Sequence, residues 1–183
     1  AAVAGLPGFF GGTFPGTFPV ALTFAGARGA VLGAPDGKFL SLPGNEAADP
    51  TPIGAGFPWA FADVAFSSPF DASSRVHVVE LGNNQEAAYL WFWFADGGFV
   101  QRSITRAAAD LTVVDLAPYA GLLAAHGGYF THVTIGGLDL LGASAGFDLD
   151  AVGVSRVPEP ASALLLGAGL LAAAAAMRRR RRQ

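Results

Sequence analysis

No cysteine occurs among the 183 residues. Disulfides, thiolate nucleophiles and cysteine-based metal sites are therefore excluded, and core packing alone must hold the fold. Histidine is nearly as scarce: His77, His126 and His132 are scattered, and no His-x-x-x-His or His-Glu-x-x-His pair is present to seat zinc. The chain also lacks a Gly-x-Ser-x-Gly elbow and a Gly-x-x-x-x-Gly-Lys phosphate loop; Ser144, within Gly142-Ala143-Ser144-Ala145-Gly146, reads as part of a loop before a strand. The expectation is a protein that is not an enzyme. A hydrolase would need His77 or His132 to meet a serine and an aspartate across the fold, since triad members need not be sequence neighbours.

Basic charge is missing from most of the chain. Residues 1–157 hold six basic side chains, Arg28, Lys38, Arg75, Arg102, Arg106 and Arg156, against thirteen acidic ones, which gives this part a formal charge of −7. The overall −3 conceals that asymmetry. An acidic domain is a poor nucleic-acid binder, so no nucleic-acid partner is expected. The remaining basic residues, Arg178 to Arg182, stand together at the other end of an uncharged stretch.

That stretch runs from Ala161 to Met177 and contains 17 residues. As a helix it would extend about 25 Å, near the lower limit for crossing a bilayer. Leu164, Leu165, Leu166, Leu170 and Leu171 supply most of its lipophilicity at roughly −0.5 kcal/mol each, and the alanines and glycines add little, so insertion is marginal. Arg178, Arg179, Arg180, Arg181 and Arg182 then fix the orientation, because an arginine cluster beside a span stays cytoplasmic. The preceding domain must lie outside the cytoplasm.

Just before the span, Pro158 and Pro160 each remove a backbone donor and hold the residue before them extended. Val157 to Pro160 is thus an accessible strap, with Glu159 beside the positive end of the helix dipole that Pro160 can begin. Alone, this Pro-x-Pro would be an ordinary boundary before a membrane helix. The order Val-Pro-Glu-Pro, short span and arginine cluster resembles the PEP-CTERM sorting signal of Gram-negative, exopolysaccharide-producing bacteria. The resemblance covers residues 157–183 and implies a partner, exosortase, an integral-membrane cysteine peptidase that cuts near the Pro-Glu-Pro element. It implies recognition at Pro158, Glu159 and Pro160, a span at 161–177 and a stop at Arg178 to Arg182, with the catalytic residues belonging to the peptidase.

Export needs a leader, yet the sequence opens Ala1-Ala2-Val3-Ala4-Gly5 without a basic region or full apolar core. Ala2-Val3-Ala4 fits a small-x-small cleavage pattern, so a signal peptide is expected to have been removed near this point.

Between the ends, Gly and Pro punctuate short runs rich in Val, Ile, Phe, Thr and Trp. The fold class expected is all-β, a β-sandwich or jelly roll over residues 20–156, followed by a single C-terminal transmembrane helix. Strands are predicted at 20–24, 39–42, 61–66, 75–81, 88–95, 99–105, 111–116, 129–135 and 147–155, with one helix over 118–126 stopped by Gly127-Gly128. Residues 1–19 read as an N-terminal arm, and 43–58 as loop. Pro35-Asp36-Gly37 reads as a turn. It opens one of three segments, Ala34 to Leu42, Val79 to Ala87 and Gly146 to Val152, that loosely resemble exported PEP-CTERM proteins with a β-sandwich domain.

Two features carry candidate chemistry. In Tyr89 to Phe94, alternation places Tyr89, Trp91 and Trp93 on one face and Leu90, Phe92 and Phe94 on the other. Neither face is polar. Such a strand is usually covered on both sides; the functional alternative exposes Tyr89, Trp91 and Trp93 as a platform for sugar rings. The second feature is Asp148 and Asp150, two apart on a strand and so on one face, which with Glu80 and Asp139 could contribute oxygens to Ca²⁺, although no EF-type loop is present and no cofactor is required. The functional expectation is an exported, sorted matrix or surface protein with exopolysaccharide as a partner. A permanently anchored periplasmic scaffold or sensor is the alternative.

Overall fold

The structure, a computed structural model, describes residues 9–16, 18–43, 60–82, 86–105, 110–138 and 146–157. Ten strands form two antiparallel sheets. The larger has the order β2-β1-β3-β10-β5-β8, from Val20–Leu22, Phe9–Thr13, Lys38–Leu42, Phe147–Arg156, Ser74–Glu80 and Leu111–Asp115. The smaller has the order β4-β9-β6-β7, from Phe61–Phe70, Phe130–Gly137, Ala87–Phe94 and Phe99–Thr105. Setting aside β1 and β2, the eight strands β3 to β10 cross between sheets in the order of a jelly roll, with β3-β10-β5-β8 facing β4-β9-β6-β7.

Alternation explains which side chains lie between the sheets. In β5, Val76 and Val78 point inward and are fully buried; in β6, Leu90, Phe92 and Phe94 do the same. They join Leu40, Leu42, Val64, Val114, Phe130, Val133, Ile135, Phe147 and Leu149 in one core shared by both sheets. An aromatic cluster fills its centre. Phe130 lies 5.6 Å from Phe70 and Phe92 and 5.1 Å from Phe94, ring centre to ring centre.

The N-terminal arm is corrected. Residues 9–13 form β1, paired with β2 and with β3, because Gly11 lets the Phe39 carbonyl come closer than any β-carbon would permit; one there would lie 1.9 Å from that oxygen. The strand predicted over 20–24 is also shorter, ending at Leu22. Thr23 instead caps the helix α1 (Phe24–Gly29), accepting the Gly26 N–H at 3.1 Å, and Ala27 enters the core. The other predicted strands are present with ends shifted by a few residues. The predicted crossover helix is a 3-10 turn at Ala117–Tyr119 running into α2 (Ala120–Ala125), and Gly128 N–H closes it on the Leu123 carbonyl at 2.7 Å.

Among the described residues, no helix is long and apolar enough to cross a membrane. The expected transmembrane helix falls on residues 161–177, outside the described residues.

Candidate functional site

Strand β10 positions the sorting element. It runs in the middle of the larger sheet, pairing through Arg156 with Ser74, and the next residue, Val157, still donates its N–H to the Ser73 carbonyl at 2.7 Å. The domain is therefore hydrogen-bonded up to the residue before Pro158. Pro158, Glu159, Pro160 and Arg178 to Arg182 lie outside the described residues.

The aromatic strand does not present the exposed platform. Tyr89, Trp91 and Trp93 share the outer face of the smaller sheet, as alternation requires, but Trp91 is 0 % and Trp93 9 % exposed. The rings cover one another. His132, opposite Trp93 in register, stacks on the indole at 5.5 Å and 7°, and Phe99 closes from β7 at 5.1 Å. Leu138 belongs to the same outer cluster, and Gly136 leaves the space that the Trp91 ring fills. Trp93 Nε1 donates to Thr134 Oγ1 at 2.8 Å, and that hydroxyl donates to Asp63. The face is a packed second layer held by a polar relay, and the faces of Trp91 and Trp93 are spent on neighbours.

A different surface is open. Beside β4, between its first residues and α1, lies a cleft of about 330 Å³ lined by Phe9, Phe24, Leu32 and Phe61, with Arg28 and Asp63 among its polar groups. Phe24, Leu32 and Phe61 are exposed there. Its walls come from both sheets and from α1, a helix where the sequence predicts only the end of a strand, at Phe24.

Of the candidate calcium carboxylates, Asp150 is engaged by a turn of the larger sheet. The ladder between β10 and β5 shifts register between Leu149 and Ala151, so Asp150 occupies a bulge and the inward positions change from 147 and 149 to 152 and 154. Asp150 Oδ1 accepts the backbone N–H of Asp36 at 3.3 Å, and so holds the Asp36-Gly37 turn onto β10. In that turn Lys38 pairs with Asp36 at 2.6 Å. Glu80 is buried on the core side of β5, opposite Leu149, and Asp139 lies outside the described residues. Among the described residues, no group of three or more acidic or histidine side chains is arranged to hold a metal.

Burial raises the Asp150 carboxyl above its ordinary value, against the lowering by the Asp36 and Gly37 backbone donors. A carboxyl raised in the folded state binds its proton more tightly there than in the unfolded chain. Stability gained from this group therefore grows as pH falls from the raised value towards 3.8 and is absent at neutral pH. Asp150→Asn keeps an Oδ1 acceptor for Asp36 and removes the buried charge. The substitution should raise the midpoint of thermal unfolding at pH 7 and lose that advantage below about pH 4; a lower midpoint at pH 7 would show that the charge itself holds the turn.

Two histidines gain partners. His126 pairs with Asp96 at 2.6 Å across the end of the smaller sheet, and this bond holds the Asp96 carboxyl below its usual range. His77 Nε2 lies 2.7 Å from Ser155 Oγ on the outer face of the larger sheet. Among the described residues no Asp or Glu hydrogen-bonds to His77, and His132 is committed to Thr131 and the Trp93 ring. Among the described residues, a serine and a histidine are thus adjacent without a carboxylate on the base.

The described residues form an all-β domain whose β10 leads directly into the C-terminal segment. Residues 156–182 match the family model of the PEP-CTERM protein-sorting motif. The chain carries that motif, which marks an exported, membrane-anchored protein processed by exosortase. The match is confined to the tail and leaves the β domain unassigned. No curated protein and no solved structure matches the chain.

Proposed function

We propose that this protein is a non-enzymatic cargo of exosortase sorting. The 161–177 span holds it in the inner membrane with the jelly roll in the periplasm, the arginines keep their end cytoplasmic, and cutting near Pro158-Glu159-Pro160 sends the domain to the cell surface or the exopolysaccharide matrix. The observation that carries this reading is the sorting-motif match, which begins at the last residue of β10. A cut beyond that strand removes the anchor and leaves every ladder hydrogen bond in place.

Contact with polysaccharide fits the cleft beside β4 better than the aromatic strand. Phe24 and Phe61 can receive the apolar faces of sugar rings, while Asp63 and Arg28 can bond hydroxyls. The competing reading is a scaffold or sensor anchored for its whole life. Mass spectrometry of the mature protein separates the two: we expect its C-terminus to fall within or shortly after the Pro-Glu-Pro strap. A mature chain that retains Arg182 would establish the permanent anchor instead.

A further inference from the structure

The strand directions gather a specific set of groups at the end of the sandwich where the tail leaves. Strand β10 stops there at Arg156; β8 stops there at Asp115, opposite Arg75; β4 stops at Phe70, opposite the start of β9 at Phe130, which also faces Phe94. The 71–74 turn, the 95–98 hairpin turn and the whole 117–129 connection therefore share this end. From Val157, pinned to Ser73, three residues precede Ala161. Fully extended they reach only about 10 Å. Once the span is inserted, this end of the domain lies against the leaflet.

Its side chains suit that position. In α2, Leu123 is buried in the core while its neighbour Leu122 is 48 % exposed, and Tyr129, just beyond the helix, is 38 % exposed. Exposed Arg156 lines a cavity of about 220 Å³ with Ser67, Ser68 and Ser74. The three carboxylates here are engaged locally. Asp71 accepts from Ser73 N–H and Oγ–H, Asp96 is bonded to His126, and Asp115 accepts the Ala117 N–H at 3.0 Å. Arg75 remains exposed on the adjoining edge.

We propose that this end is a membrane-resting face. Leu122 enters the boundary between headgroups and acyl chains, the Tyr129 ring lies at headgroup level, and Arg156, with the serine hydroxyls, takes a lipid phosphate. The docked face holds the domain in one orientation and presents the strap at a fixed height to the peptidase. The proposal rests on the anchored reading given above.

The absence of cysteine makes the test direct. Ala125→Cys, exposed one turn beyond Leu122, and Thr105→Cys, exposed at the opposite end, are each labelled with a polarity-sensitive fluorophore. The full chain is then reconstituted in vesicles of phosphatidylethanolamine and phosphatidylglycerol. The expected result is a blue-shifted emission, quenched by headgroup-level spin-labelled lipid, at position 125 and not at 105. Adding Leu122→Ser with Tyr129→Ser should return the 125 probe to the emission seen in water. Chains that float with the vesicles while both probes report water overturn the resting face and leave the anchor intact. Chains that fail to float overturn the anchor and the face together. Shielding at 125 that appears only when exosortase is added assigns the surface to the enzyme and overturns the lipid contact.

Discussion

Phe130→Ala should cost the domain about 3–5 kcal/mol, the range for truncating a fully buried phenylalanine in a core that cannot collapse around the cavity. Phe130 is completely buried and stands among Phe70, Phe92, Phe94 and Tyr119, four rings within 6.2 Å. Each aromatic contact adds roughly 0.5–1.5 kcal/mol beyond area burial, so the loss falls at the upper part of that range. Domain stabilities are only about 5–15 kcal/mol, and nothing covalent offsets the loss in a chain without disulfides. The unfolding midpoint should drop by roughly 10 °C or more. Phe99→Ala, on the edge strand β7, exposed and beside the Trp93 ring, is the matched control and should cost under about 1 kcal/mol. Thermal unfolding of the two variants, followed by near-ultraviolet circular dichroism, checks the difference. Similar losses from both would mean that the shared core between the sheets is not what holds the domain together.

The strands of that core were legible because their signal is local. Alternation in 89–94 put Leu90, Phe92 and Phe94 together on one face, and that face lies in the core between the sheets. Gly127-Gly128 stopped a helix where two glycines in succession favour a stop. What was hidden is mostly non-local. The pairing of β10 between β3 and β5 joins residues 69 or more positions apart, and nothing in a run of apolar residues says which partner it takes. Strand β1 was obscured because Gly11 and Gly12 read as loop punctuation, whereas the close approach to Phe39 is what requires a glycine.

The same division applies to the candidate sites. Tyr89, Trp91 and Trp93 do share a face, as a period of two demands, but the indole of Trp93 is covered by His132, a residue 39 positions away that carried no signal of its own. Asp148 and Asp150 were placed on one face by alternation, but the ladder shifts register at Asp150, and the group that engages Asp150 comes from a turn more than a hundred residues earlier. The tail behaves oppositely. Its Pro-Glu-Pro, apolar and arginine elements are contiguous in sequence, so the order of residues alone was enough to identify it, and the sorting-motif match covers residues 156–182.

That contiguity makes the tail the most sensitive point of the protein's fate. Glu159→Ala, or alanine in place of both Pro158 and Pro160, should leave the precursor membrane-bound and reduce its processing to near zero. The apolar residues of 161–177 and the arginine cluster are unchanged by either substitution, so insertion and orientation keep their driving force. What changes is the substrate. Removing Glu159 deletes the one acidic side chain of residues 157–183; removing the prolines restores backbone donors and lifts the restriction to extended conformations that proline imposes on the residue before it. The domain should not feel these changes, because the last hydrogen bond among the described residues, from Val157 to Ser73, precedes the first altered residue. Immunoblots of membrane and released fractions, with mass spectrometry of each C-terminus, read the outcome: intact precursor accumulating in the membrane is expected for both variants. Processing at the parental rate would place recognition elsewhere, and the span or the arginines would then have to supply it.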